Sequence, residues 1–218
     1  MKFVGMFLKL LERVKYVPKA IFSMFKCVQY SWKEVYELCK ELADKIKNSG
    51  FKPDVIVAIA RGGWIPARIM ADFLLIKDLY SVKAEHWGIV ATITGKARIT
   101  QPLTVDLSDK SVLVVDDVAD TGETVELVAK HVMEKNAREV RTAVIDFKHT
   151  SKFVPDYYAR EMESWMWIVY PWSIYEDTRD LILKLNCKGL DPREIVRRLA
   201  EEFDFHVDES VVRDVLNG

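Results

Sequence analysis

The stretch that most restricts how this chain folds is VLVVDDVADTGET, Val112 to Thr124. Val112 to Val115 have no polar face, so a strand made from them must be covered on both sides. The run ends in two carboxylates, Asp116 and Asp117. A third, Asp120, precedes a Thr-Gly pair that opens ETVELVAKHVMEK (123–135), where apolar residues recur with a helical period. A fully buried strand that turns straight into a helix belongs in a parallel sheet with helices on its faces.

The same grammar recurs. DVIVAIA (54–60) is an unbroken apolar run between Pro53 and Arg61-Gly62-Gly63, followed by the helical IPARIMADFLL (65–75) with Pro66 in its first turn. EVRTAVIDF (139–147) predicts a further strand, and YSVKAEHW (80–87), PDYYARE (155–161) and WMWIVYPW (165–172) predict three more. SWKEVYELCKELADKIKNSG (31–50) reads as a helix, with Ser31 and Glu34 as a capping box and Gly50 as its stop. Residues 86–108 lack clear periodicity and hold Gly88, Gly95 and Pro102. They predict a long loop or hairpin, a flexible hood over a site.

The flanks differ from this body. Residues 1–29 begin apolar and basic, but Lys9, Glu12 and Arg13 break the run too early for a bilayer span, so an amphipathic extension packed on the body is expected. From Ile174 the pattern becomes three short helices, with Asp191-Pro192 opening the second and Asp208 capping the third. The expected organisation is therefore an extension (1–29), an α/β core (30–173) and a helical C-terminal extension (174–218). The net charge of −1 gives no reason to expect nucleic acid or a membrane as partner. Three cysteines without metal-ligand spacing fit a reduced, cytoplasmic setting.

Ligands of an open parallel sheet bind beyond the carboxyl ends of its strands. Three polar clusters fall there: Arg61-Gly62-Gly63, Asp116 to Thr124, and Lys148 with its followers. The turn into helix 123–135 offers free backbone N–H groups and a helix dipole to an anion, with the Thr121 and Thr124 hydroxyls beside them. Gly122 leaves the backbone open to close approach. A P-loop is excluded, because its glycine spacing and lysine are missing. Asp116 and Asp117 would repel a phosphate but suit sugar hydroxyls or Mg²⁺. A phosphate on one side and hydroxyls on the other describe a ribose 5-phosphate.

Val112–Thr124 resembles the phosphoribosyl-pyrophosphate (PRPP) binding motif of the type I phosphoribosyltransferases. From about Tyr30 to Trp172 the chain is similar to the xanthine-guanine phosphoribosyltransferases: SWKEV resembles their opening helix, ARGGWIPA their pyrophosphate loop, FKHTSKFVPDYY their base-reading strand end, and WIVYPW the segment over the purine. The resemblance implies a mostly parallel Rossmann-like sheet flanked by helices, and transfer of phosphoribosyl from PRPP to a purine with Mg²⁺ as cofactor. It further implies that Asp116 and Asp117 hold the ribose hydroxyls, with Asp117 also on the metal. Thr121, Gly122, Glu123 and Thr124 would wrap the 5-phosphate. Ala60, Arg61 and Gly62 would bind pyrophosphate, with a cis peptide between the first two.

By the same resemblance Asp120 faces purine N7 as general base or counter-charge, and also belongs to the PRPP site. Val115, Lys148, Trp167 and Ile168 would contact the base, Lys148 through O6. Arg98 and Lys96 of the hood would reach pyrophosphate on closure. The resemblance also implies a homodimer or homotetramer. EHWGIVATITG lacks the Ser-Tyr pair many 6-oxopurine enzymes carry in the hood, and the C-terminal extension has no counterpart in compact relatives. A 6-oxopurine is favoured. Adenine on the same scaffold, or a PRPP-sensing regulator without catalysis, are the alternatives.

Overall fold

The computed structural model describes residues 25–86 and 97–218. The elements run β1 (Cys27–Gln29), α1 (Trp32–Asn48), β2 (Val55–Ala60), α2 (Trp64–Phe73), β3 (Asp78–His86), β4 (Ala97–Gln101), β5 (Ser111–Ala119), α3 (Glu123–Met133), β6 (Glu139–Lys148), β7 (Tyr157–Met162), β8 (Trp167–Val169), α4 (Ile174–Lys184), α5 (Pro192–Phe203) and α6 (Glu209–Asn217). Six strands form one sheet in the order β4-β3-β2-β5-β6-β7. All neighbours are parallel except β3 and β4.

The apolar runs lie at the centre of this sheet. Every residue of β2 is buried, and β5 is buried from Ser111 to Asp116. Alternate residues of β5 face opposite layers. Leu113 and Val115 pack against α1 and α2, whereas Val112 and Val114 pack with Val125, Val128 and Val132 of α3. The capping box of α1 is formed, with the Ser31 hydroxyl accepting from Glu34 N–H and the Glu34 carboxylate accepting from Ser31 N–H at 2.7 Å. Gly50 closes that helix at φ +81°.

β2 leads outward to β3 on one side, whereas β5 leads to β6 on the other. Their carboxyl ends therefore flank the point where the strand order reverses, and a crevice opens there. Both the Arg61-Gly62-Gly63 turn and the Asp116–Thr124 turn sit at this crevice.

Tertiary packing gives two of the expected segments a definite place, the first as the hairpin arm of β3 and β4. Much of the anticipated hood is body: Ala97–Gln101 is a strand paired with β3, and Leu103 and Leu107 are buried in the core layer with α3. His131 of α3 fixes this segment by accepting the Leu103 N–H at 3.0 Å. Lys96 lies outside the described residues, and Arg98 sits on β4 opposite Glu85. Secondly, Cys27–Gln29, read as part of the N-terminal extension, is a strand that pairs with β8 in a separate two-stranded sheet. Three residues are too short to show a period, so no sequence signal marked them.

The three C-terminal helices form where expected. They enclose a third apolar cluster built from Leu181, Ile182, Ile195, Leu199 and Phe203 together with Cys27 and Val169 of the small sheet. Asp191 caps α5 by accepting Arg193 N–H at 2.9 Å. Asp208 holds the N-cap position of α6 without a side-chain bond to the helix. Among the described residues no helix is long and apolar enough to cross a membrane.

Candidate active site

At the end of β2 the chain turns through a cis peptide between Ala60 and Arg61. The two glycines that follow are there for space. A Cβ on Gly62 would fall 2.1 Å from a carboxylate oxygen of Asp117, and one on Gly63 would fall 2.5 Å from the Val115 carbonyl. The β2 turn and the β5 end are thus pressed together, and only glycine permits it. Arg61 extends from this turn into the open. One of its guanidinium nitrogens donates to both carboxylate oxygens of Glu176 at 2.7 Å.

At the end of β5, Asp116 is buried and accepts the Asp117 N–H at 3.0 Å, while Asp117 accepts the Val118 N–H at 2.8 Å. Burial holds both carboxyls above the ordinary carboxylate range. The Asp117 charge adds to the shift of Asp116, and Asp117 itself is pushed up to about 6. The next turn contains Gly122 at φ +79°, a left-handed position that favours glycine. Its bare α-carbon packs on this chain's own segment, since a Cβ would lie 2.3 Å from the Ser151 hydroxyl. The N-terminal N–H groups of α3 begin directly after it, and the Thr121 hydroxyl lies 3.4 Å from the Glu123 N–H. This is an anion-ready helix start.

The third part is built from side chains. Lys148, the last residue of β6, is buried, and its ammonium donates to Asp120 Oδ2 at 3.1 Å. Burial pulls its pKa down, and the Asp120 carboxylate pushes it back up. Asp120 is also held by the Thr150 hydroxyl at 3.2 Å and by the Trp165 indole N–H at 3.1 Å. The Lys148 ammonium lies 4.6 Å from the Trp165 ring centroid, a cation–π contact.

A cavity of about 600 Å³ joins these parts. Arg61, Gly62, Asp117, Asp120, Lys148, Trp167 and Ile168 all line it. Ala60 and Asp116 are buried and do not line it, and Thr121 to Thr124 follow Asp120 in the chain without lining it. Val115, expected to touch the base, is instead fully buried with its side chain in the α1–α2 layer, and Val118 takes a place on the wall. Strand alternation could have signalled that correction.

Other wall residues were given no role of their own by the sequence: Trp64 within ARGGWIPA, Tyr170 within WIVYPW, and Glu176, Asp177 and Asp180 of α4. Tyr170 stacks on Trp172 at 4.6 Å. Its hydroxyl lies 2.6 Å from the buried Asp146 carboxylate and 3.0 Å from the Asp117 carbonyl. Tyr30 donates to the same Asp146 at 2.9 Å. The arrangement can hold a polyanion at Arg61 and at the α3 start, sugar hydroxyls at the paired aspartates, and a flat polar ring beside Lys148.

The model of the phosphoribosyl transferase domain matches residues 30–177. The hypoxanthine-guanine phosphoribosyltransferase of Saccharomyces cerevisiae is 34% identical over 133 residues, covering 53% of this chain and 59% of that protein. The chain thus spans less than two thirds of that relative. The purine phosphoribosyltransferase of Pyrococcus horikoshii is similar in structure, with a TM-score of 0.59 and 38% identity over 67% of this chain and 93% of that one. A Neisseria gonorrhoeae protein solved with bound ppGpp gives a TM-score of 0.62 and 31% identity, over 83% of this chain and 98% of that one. With its sheet order, its strand-end aspartates and these matches, the chain belongs to the phosphoribosyl transferase domain family.

Proposed function

We propose that the protein transfers the 5-phosphoribosyl group of PRPP to N9 of a 6-oxopurine, releasing pyrophosphate. The observation that carries the choice of base is the Lys148–Asp120 pair on the cavity wall. It sets an ammonium donor beside a carboxylate acceptor. That pattern complements an O6 acceptor next to an N7–H donor. Adenine places an amino donor where the ammonium stands, so the ion pair disfavours it. Hypoxanthine-guanine activity in the yeast relative, and ppGpp in the Neisseria protein, support the reading.

In the reaction the C1–O bond to pyrophosphate breaks and the C1–N9 bond forms. The base loses one proton, which Asp120 takes or offsets by its charge. The sugar passes through a cation-like state. Asp116 and Asp117 hold its hydroxyls, the α3 start with Thr121, Gly122, Glu123 and Thr124 holds the 5-phosphate, and Ala60, Arg61 and Gly62 receive the leaving group. Trp167 and Ile168 cover the base.

The two carboxylates of Asp116 and Asp117 offer the hard oxygen donors that an ion such as Mg²⁺ takes, one or two from the protein and the rest from phosphates and water. Asp117, on the cavity wall, is the ligand we assign. When bound, Mg²⁺ supplies neutralisation of the pyrophosphate charge. Residues 30–173 carry the assigned PRPP and base contacts in this reading, and 1–29 and 174–218 are additions, from which α4 lends Glu176, Asp177 and Asp180 to the cavity wall.

One assay panel tests the function. The protein is incubated with PRPP, Mg²⁺ and hypoxanthine, guanine, xanthine or adenine in turn. Pyrophosphate release with at least one 6-oxopurine is expected. Release with adenine alone would overturn the base, and none with any base, despite PRPP binding, would favour a PRPP-sensing regulator.

A further inference from the structure

The two consecutive acids that open α4 each reach a different part of the cavity. Glu176 holds the Arg61 guanidinium through both of its oxygens. Asp177 is buried, and accepts the Trp167 indole N–H at 2.9 Å and the Ser173 hydroxyl at 2.7 Å. Both acids line the cavity together with the residues they hold. One helical turn therefore fixes a side chain of the pyrophosphate end and a side chain of the base end.

We propose that Glu176 and Asp177 are positioning residues for these two subsites, acting with opposite consequences for affinity. The proposal rests on the assignment of Arg61 to pyrophosphate and Trp167 to the base. Asp177 orients the ring that covers the base. Without it the indole N–H has no fixed acceptor, and the ring is free to turn about its side-chain torsions.

Glu176 acts as a stand-in anion. Arg61 and Glu176 are both substantially exposed, at 65% and 44% for their side chains, so their contact is weak and easily exchanged. A diphosphate is a stronger partner for a guanidinium than one carboxylate. PRPP must therefore displace Glu176 from Arg61, and departing pyrophosphate hands the guanidinium back. The exchange lowers affinity for the substrate and speeds release of the product.

The test separates the two residues by sign. Asp177→Ala should raise the KM for the base about three- to tenfold, as expected for one lost hydrogen bond, with the KM for PRPP within about twofold of wild type. Asp177→Asn should restore the base KM, because its amide oxygen still accepts from the indole while its amide N–H₂ turns to Ser173. Glu176→Ala should lower the KM for PRPP, and tighten Mg²⁺-pyrophosphate binding by calorimetry, by about two- to fivefold. Its base KM should be unchanged.

Asp177→Ala and Asp177→Asn with the same base KM would overturn the first half. Unchanged or weaker pyrophosphate binding in Glu176→Ala would overturn the second. A merely structural role would lower the melting temperature and move both KM values in one direction. The calorimetric arm needs no turnover. A wild type that binds pyrophosphate without making product, tightened by Glu176→Ala, would sink the catalytic reading while upholding the Glu176 half, and the Asp177 variants would then be compared by calorimetric binding of the base.

Discussion

The two strand ends that meet the cavity are made by different means. The end of β5 works through backbone. Its aspartates are oriented by adjacent N–H groups, its turn depends on a left-handed Gly122, and its anion site is the start of α3. The end of β6 works through side chains from three separated segments, with Lys148, Asp120, Thr150 and Trp165 joined through Asp120. Backbone sites are rigid and take whatever carries a phosphate and a ribose. Side-chain sites are adjustable and carry selectivity. Within one family the first should stay constant while the second sets the base.

That contrast breaks most visibly at Asp120, which lies on the boundary. Asp120→Ala should cut kcat by about 10²–10³-fold, the usual contribution of a positioned acid or base. PRPP binding by calorimetry should change only a few-fold, because the α3 N–H groups and Thr121 remain. Equal loss of both would place Asp120 inside the phosphate site and erase the boundary.

Lys148→Met comes next. It should lower kcat/KM for a 6-oxopurine by about 10–100-fold, the worth of a charged hydrogen bond, and narrow the preference over adenine. PRPP binding should hold. The fold should also hold, since Asp120 keeps Trp165 and Thr150 and stays partly exposed. A variant that lost PRPP binding instead would show that the two ends are one coupled unit.

The same contrast explains what was legible in the sequence. VLVVDDVADTGET displays a buried strand, its acids and an anion-binding helix start in thirteen consecutive residues, because the physics is local. Arg61-Gly62-Gly63 was readable for the same reason, although what the glycines make room for, Asp117 and the Val115 carbonyl, was not. The base end was legible only as separate pieces. Nothing in the spacing of Asp120, Lys148 and Trp165 says that they touch. Glu176 and Asp177 read simply as acids in a helical first turn, and became wall residues because they meet Arg61 and Trp167. Val115 shows the opposite failure. A residue inside the motif was given a role that its strand face forbids.

The smallest expected effect concerns the β5 end itself, and it has a sign. Burial raises the folded-state pKa of Asp117 to about 6, above the ordinary carboxylate value. Between about pH 4 and pH 6 the folded chain therefore holds a proton that the unfolded chain has released. Stability falls as pH rises through that window, and above it the protein carries part of the cost of holding a charge at the half-buried cavity wall. Asp117→Asn removes the charge but keeps a side-chain oxygen to accept the Val118 N–H. At pH 7.5 this variant should be more stable than wild type by about 1 kcal/mol, discounted for relaxation around the paired acids, with the gap closing near pH 4. Urea midpoints at the two pH values measure it, and PRPP binding at pH 7.5 should weaken in the same variant. A stability gap independent of pH would mean that packing is responsible. A closing gap with weakened PRPP binding would mean that the β5 end, for all its backbone rigidity, keeps two acids in an unfavourable place because the sugar and its metal require them there.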